Sequence, residues 1–313
     1  MPGFETGKAA FMLKKSIKIA AISFLVLVGL VVLLVAAGVV NTLYLTKGIS
    51  GGANGIFFDK NDRLYIASVL GGAVHVMDTG TGEILETLSK EESVDGPDDV
   101  EVTPGGDIYY TDILQGNICR RAADGDVTKQ HIATGVNSIA ISKEGRVFVG
   151  LAILGDALYE VDPDLKKPPR LVSGARGQFN GSDFGPDGRL YTALNLAGKI
   201  VSTNVDADNP VTTELETDIQ TVATGLPTVA GVKFNAKGEL YASTFLGNIW
   251  KIEPATGARE LVADVGCIGI DNIAIDSRDI VFVSNTLNGL IYEVLPDGGT
   301  RPVNKKGGGS DPA

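Results

Sequence analysis

NGSDFGPDGRLYTAL, from Asn180 to Leu194, reads as a small polar residue, an apolar strand, a Gly-containing turn and a second apolar strand. Gly185-Pro186-Asp187-Gly188 is turn chemistry, since Gly supplies the positive φ of a tight hairpin. The same sentence is written five more times. NGIFFDKNDRLYIAS starts at Asn54, DDVEVTPGGDIYYTD at Asp98 and NSIAISKEGRVFVGL at Asn137; AGVKFNAKGELYAST starts at Ala230 and DNIAIDSRDIVFVSN at Asp271. Neighbouring copies stand 39 to 50 residues apart. A repeat of this length built only of strands predicts a propeller, and six copies predict six blades. A sandwich would need no such self-similarity.

Each copy carries three inner strands of a four-stranded blade. In the fourth copy these are Gly181–Phe184, Arg189–Ala193 and Lys199–Thr203. More variable outer strands follow at Glu83–Leu88, Thr128–Ala133, Arg170–Ser173, Thr221–Thr224 and Arg259–Ala263. The sixth outer strand comes either from Thr300–Val303 or from the chain around Tyr44–Ile49.

Outside the repeat, Ile19 to Val40 is a run of 22 residues without a charge. As a helix it would rise about 33 Å, enough to cross a bilayer. A cleaved signal peptide is the competing reading, with Ala36-Ala37-Gly38 as a cleavage site, but signal h-regions are shorter. Lys8, Lys14, Lys15 and Lys18 precede the run, which places the N-terminus in the cytoplasm and the propeller on the far side, periplasmic, extracellular or lumenal. The expected layout is therefore an all-β, six-bladed β-propeller preceded by a single transmembrane helix. It comprises a cytoplasmic segment 1–18, a transmembrane helix 19–40, a linker 41–49, the propeller 50–303 and a tail 304–313.

The formal net charge of −11 argues against nucleic-acid binding, which needs clustered Lys and Arg. Setting aside residues 1–18 leaves 23 basic against 37 acidic residues. Cys119 and Cys267 fall in different copies and form no metal-ligand spacing; they could pair only in an oxidising compartment.

In a propeller the innermost strands line a central channel, so the leading residues of the copies converge at one mouth. Here that ring is Asn54, Asp98, Asn137, Asn180, Ala230 and Asp271, with Asp99 and Asn272 immediately behind two of them. Oxygen donors of this kind suit Ca²⁺, which takes six to eight oxygens. The alternative is that Asn and Asp only cap the strand starts through local backbone hydrogen bonds.

The NGSDFGPDGRLY block at Asn180 and the DNIAID block at Asp271 resemble motifs of calcium-dependent six-bladed propellers. These are the gluconolactonase/regucalcin family, the paraoxonases, diisopropyl fluorophosphatase and the strictosidine synthase-like proteins. The similarity covers about residues 50 to 303. It implies a Ca²⁺ held at the channel mouth and hydrolysis of esters, lactones or organophosphates; the strictosidine synthase branch instead condenses an amine with an aldehyde without that metal. Residue by residue, PDDVEV is similar to the segment whose acid binds the metal in paraoxonases, pointing to Asp98. Asn180 matches the Asn of the family's NG motif, and Asp271 with Asn272 matches its Asp-Asn pair. A gluconolactonase-type alignment shifts the register by one blade and brings in Asn54 and Asn137. Two departures stand out. Ala230 occupies a ligand position, and Asn137 replaces the paraoxonase-type histidine.

Two functions follow as expectations. One is a membrane-anchored, Ca²⁺-dependent hydrolase of a small lactone or ester, with Asp271 as base or nucleophile and Asp98 as second carboxylate. The other is a non-catalytic propeller acting as an interaction module or accessory subunit beside membrane-protein partners. His75 and His131 fall on a third and an outer strand, away from the mouth. Tyr65, Tyr109, Tyr159, Tyr191, Tyr241 and Tyr292 read as packing between blades.

Overall fold

The turn that closes each strand pair is built by side chains. Asp59 accepts hydrogen bonds from the backbone N–H groups of Asn61 and Arg63. Asn235 does the same for Lys237 and Glu239, and Asp276 for Arg278 and Ile280. All three stand five residues after the head of their copy, and Ser142 fills that position in the third. The residue that ends the turn is left-handed in every blade. It is Gly106, Gly145, Gly188 or Gly238 in the middle four, as the turn chemistry predicts. Blades one and six use Asp62 (φ 57°) and Asp279 (φ 65°), a residue type that tolerates this region better than most.

This computed structural model describes residues 48–49, 51–206 and 219–304. They form six four-stranded antiparallel sheets, each in simple chain order, arranged as a six-bladed propeller. The inner strands are Ile56–Phe58, Pro97–Val102, Val136–Ile141, Phe179–Phe184, Val229–Phe234 and Ile270–Ile275. The outer strands are Glu83–Leu88, Val127–His131, Arg170–Ser173, Ile219–Thr224, Arg259–Asp264 and Thr300–Pro302. The last of these pairs with Ile291–Val294 and resolves the sixth blade in favour of the C-terminal segment. Among the described residues no strand is exchanged to close the ring. Instead, Gly48, Ile49 and Ala53 donate backbone N–H groups to the carbonyls of Asn288, Gly289 and Asn285 in blade six.

The sheets pack face to face through apolar clusters, one between each pair of neighbours. Tyr65, Val74, Val100 and Tyr110 meet between blades one and two. Ile56, Leu64, Ile66 and Phe282 close blade one on blade six, with the Phe58 and Phe282 rings edge to face at 5.1 Å. The tyrosines pack in these clusters as expected: Tyr65, Tyr109 and Tyr191 are buried, and Tyr159, Tyr241 and Tyr292 pack half-buried against them. Cys119 and Cys267 are both free. Among the described residues no helix is long and apolar enough to cross a membrane; residues 19–40, 41–47 and 305–313 lie outside them.

Candidate active site at the channel mouth

The heads of the copies are presented by β-bulges. In five inner strands the ladder slips between the residue just before the head and the second or third residue after it, as between Pro97 and Val100 or Ile270 and Ile273. A bulge leaves an unpaired N–H and re-aims the side chain beside it. In blades two, five and six a hydroxyl on the second strand satisfies that group. Thr111 accepts from the Asp99 N–H and donates to the Asn137 carbonyl of the next blade at 2.6 Å. Ser243 links the Gly231 N–H to the Asp271 carbonyl, and Ser284 links the Asn272 N–H to the Asn54 carbonyl. Each clamp therefore fixes the backbone of the next blade's head. The bulge also explains why the fourth inner strand starts at Phe179 rather than Gly181: pairing resumes on the far side of it.

At the mouth, blades six, one and two bring three of the expected residues together. Asn54 donates to Asp271 Oδ2 at 3.2 Å and to Thr286 Oγ1 at 3.0 Å. Asp98 is buried, and no hydrogen-bond donor among the described residues reaches its carboxylate. Burial pushes Asp98 well above the ordinary carboxylate range, and the charges of Asp271 and Asp99 push the same way. Burial raises Asp271 as well, opposed by the Asn54 hydrogen bond. Asn137 and Asn180 hold the equivalent places in blades three and four. The Asn137 side chain has no hydrogen-bond partner among the described residues, and Asn180 Oδ1 accepts from the Gly181 N–H. Ala230 leaves the gap in blade five. Blade four packs closely on this stretch, because a Cβ on Gly181 would stand only 2.7 Å from Gly231 Cα and 2.9 Å from the Ala230 carbonyl oxygen.

Asn272 does not join the mouth. Its amide donates to Asp99 Oδ1 at 3.0 Å and its oxygen accepts from the Ile273 N–H, so both ends are used inside the channel wall. The bridge from blade six to blade two passes over Gly55 of blade one. A Cβ there would lie 2.3 Å from Asp99 Oδ1, which is why the first copy begins Asn-Gly. Asp99 Oδ2 also accepts from the Ile139 N–H at 2.9 Å, tying blade two to blade three.

Three residues beyond the heads, the same repeat holds a second charged group that sequence reading passed over. Lys233 Nζ lies 3.1 Å from Asp183 Oδ1 and 3.8 Å from Glu101 Oε1, with the Phe57 ring centroid 4.9 Å away. The signal was available, since the third position after each head reads Phe57, Glu101, Ala140, Asp183, Lys233 and Ala274. Beside this group a cavity of about 410 Å³ opens at the end of the channel opposite the ring. Between the ends, the space bounded by Asp99, Glu101, Ser182 and Asn272 is about 10 Å³. That holds about one water, so the channel is not a pore for solutes.

Burial pushes Glu101 up to about 8, with Lys233 opposing the shift, and pushes Asp99 up to about 7. The folded state then holds protons that the unfolded chain has released. Stability is fully present below the ordinary carboxylate value of 4.5 and declines as pH rises to about 8. The Asp99 part of that decline ends near pH 7. Glu101→Gln is expected to flatten the remaining fall between pH 7 and 8, read from urea midpoints; an unchanged slope there would show that Glu101 is ionised throughout.

Other chemistry is remote from the mouth. His75 Nδ1 pairs with Thr87 Oγ1 and His131 Nδ1 with Asn117 Oδ1, both on third and outer strands. Among the described residues no three His, Cys, Asp or Glu side chains assemble as a metal group. A cation at the mouth would therefore rely on amide oxygens beside the carboxylates.

No family model matches the chain, and no curated protein matches it. Among solved structures, virginiamycin B lyase from Staphylococcus aureus is similar at 12% identity and a TM-score of 0.61, over 82% of this chain and 85% of that one. The same lyase is known in a catalytically inactive form with one histidine changed to alanine. A gluconolactonase from Xanthomonas campestris is similar at 15% identity and a TM-score of 0.62, over 79% of this chain and 86% of that one. At these identities the likeness is one of fold.

Proposed function

We propose that this protein is a membrane-anchored, Ca²⁺-dependent hydrolase of a small lactone or ester, with its site at the propeller mouth. The observation that carries the proposal is the buried Asp98 carboxylate, reached by no hydrogen-bond donor among the described residues and facing the charge of Asp271. Two like charges held in a low-dielectric site without a partner are costly, and a divalent cation removes that cost. Asp98, Asp271 and the amide oxygens of Asn54, Asn137 and Asn180 are the oxygens available to hold it. The Asn54 oxygen already accepts from the Val69 N–H at 3.3 Å, which leaves it one lone pair to give. Bound there, Ca²⁺ would polarise the substrate's carbonyl oxygen.

This chain's own residues supply the proton chemistry. Asn54 fixes the orientation of Asp271, and Thr286 fixes Asn54 through the second amide hydrogen. Asp271, only partly buried and accepting that hydrogen bond, is the group to take a proton from an attacking water. Lyase chemistry of the staphylococcal kind is the weaker reading: that lyase loses its activity when one histidine is changed, and both histidines of this chain, His75 and His131, stand away from the mouth.

Thermal melting of the full chain with Ca²⁺ and with a chelator, followed by lactone and aryl-ester turnover, tests this directly. Ligand at 100 times its Kd adds about 2.7 kcal/mol, a rise of about 5 °C for a domain of this size. Equal melting in both conditions would remove the metal and with it the hydrolase. A shift without turnover would favour the interaction module.

A further inference from the structure

Seven of the ten large apolar residues exposed among the described residues stand on one face of the propeller. Six of them occupy the turns between second and third strands, and second strands run toward the mouth that carries Asp98 and Asp271. Blade one offers Leu70, blade two Leu114, blade three Ile153 and Leu154, blade four Leu196 and blade five Leu246. Leu196 is 75% exposed. A seventh, Ile268, precedes the inner strand of blade six on the same side. The remaining three, Ile84, Leu85 and Leu261, lie on outer strands. The opposite face is charged instead: its turns expose Lys60, Lys143, Glu144, Asp187, Lys237 and Arg278.

Single exposed leucines are ordinary on a protein surface. At one repeat position in five blades, around one opening, they form a collar. Hydrogen bonds hold these turns in place against the segments that lead into the inner strands. Ile113 accepts from the Gly135 N–H, Ala152 donates to the Gly135 carbonyl, and Leu196 donates to the Gly177 carbonyl. The side chains therefore project from a fixed rim.

The chain itself indicates what covers the collar. Gly48 and Ile49 run beside the Asn288-Gly289 turn of blade six, which is the sixth turn of the same ring. The apolar run 19–40 ends eight residues before Gly48, and a stretch of that length, fully extended, reaches at most about 29 Å. A face that carries an apolar collar is thus tied by a short lead to a segment of membrane-spanning length.

We infer that the mouth face of the propeller rests on a lipid bilayer, with the collar leucines in the boundary between headgroups and acyl chains. The inference rests on the anchor in the proposed function and not on the calcium chemistry. The occupant is lipid rather than a protein groove because the contact is a ring of separate apolar points on a rigid rim. Such points insert among acyl chains and present no continuous surface to a partner.

The test uses the full chain, reconstituted in phosphatidylcholine vesicles with and without dibrominated phosphatidylcholine. The sequence has one tryptophan, so Trp250→Phe gives a silent background. On it, Leu114→Trp and Leu196→Trp report the collar, and Leu261→Trp reports an outer strand. Brominated lipid is expected to quench the two collar positions by about half or more and to leave Leu261→Trp unchanged. Adding Leu70→Asp and Leu246→Asp should lower the quenching of Leu114→Trp at unchanged melting temperature. Unquenched collar positions would overturn the inference, and so would quenching equal to that at 261. Blue-shifted but unquenched emission would assign the collar to a second copy or a protein partner, which also overturns it. A chain released from vesicles by alkaline wash would bring down the anchor as well; a retained but unquenched chain would bring down the docked face alone.

Discussion

Lys233→Met is expected to lower stability by about 3–5 kcal/mol, the range for removing one partner of a buried ion pair. At this size that is a fall of about 10 °C in Tm. Lys233 is the cation that Glu101 and Asp183 share, and it also lowers the cost of ionising Asp99. Without it, three enclosed carboxyl groups lose their counter-charge while their desolvation remains. Glu101 and Asp99 respond by holding protons more tightly, so the loss should be larger at pH 8 than at pH 5. Asp183 also accepts from the Phe234 N–H at 2.7 Å, which ties blade four to blade five. Adding Glu101→Gln and Asp183→Asn to Lys233→Met should therefore recover only part of the loss. Calorimetry at the two pH values decides the matter. A loss that does not grow with pH would mean that methylene packing on Phe57, not charge, holds Lys233 in place.

The second large effect is a change of sign. Asp98→Asn removes one of two facing carboxylates without changing shape. In chelator the variant should melt higher than the parent, by about 1–2 kcal/mol, because a buried like-charge contact is gone. In Ca²⁺ the order should reverse, since the variant has lost a hard anionic ligand and most of the metal-dependent gain. A purely structural Asp98 predicts the same direction in both buffers. Asp271→Asn should behave similarly in melting and also reduce turnover by about 10²–10⁴-fold, the usual contribution of a general base. Turnover that survives Asp271→Asn would move the base to another residue.

Much of the fold was legible because a propeller writes its period into the chain. Hairpin turns demand Gly, Asn or Asp at fixed offsets, and strand faces that pack on two neighbours demand apolar residues on both sides. Those local needs located all six inner strands and placed the outer strands at Glu83–Leu88 and Arg170–Ser173 with the bounds observed. The heads of the copies were legible for the same reason. Their division of labour was not. Asn54, Asp98 and Asp271 meet across three blades, whereas Asn272 turns inward to bridge to Asp99. Repeat position alone gives neighbouring columns equal standing, and only the bulge decides which residue is turned to the mouth.

By itself, the amino-acid sequence determined the number of blades and the turn chemistry, because each depends on contacts within about forty residues. The tertiary structure decided what depends on closure. Blade six takes its outer strand from Thr300–Pro302, Lys233 finds Glu101 across the channel, and leucines from separate copies gather into one collar. Lys233 and Glu101 stand more than a hundred positions apart, as do the ends of the collar, and nothing short of the closed ring brings them together.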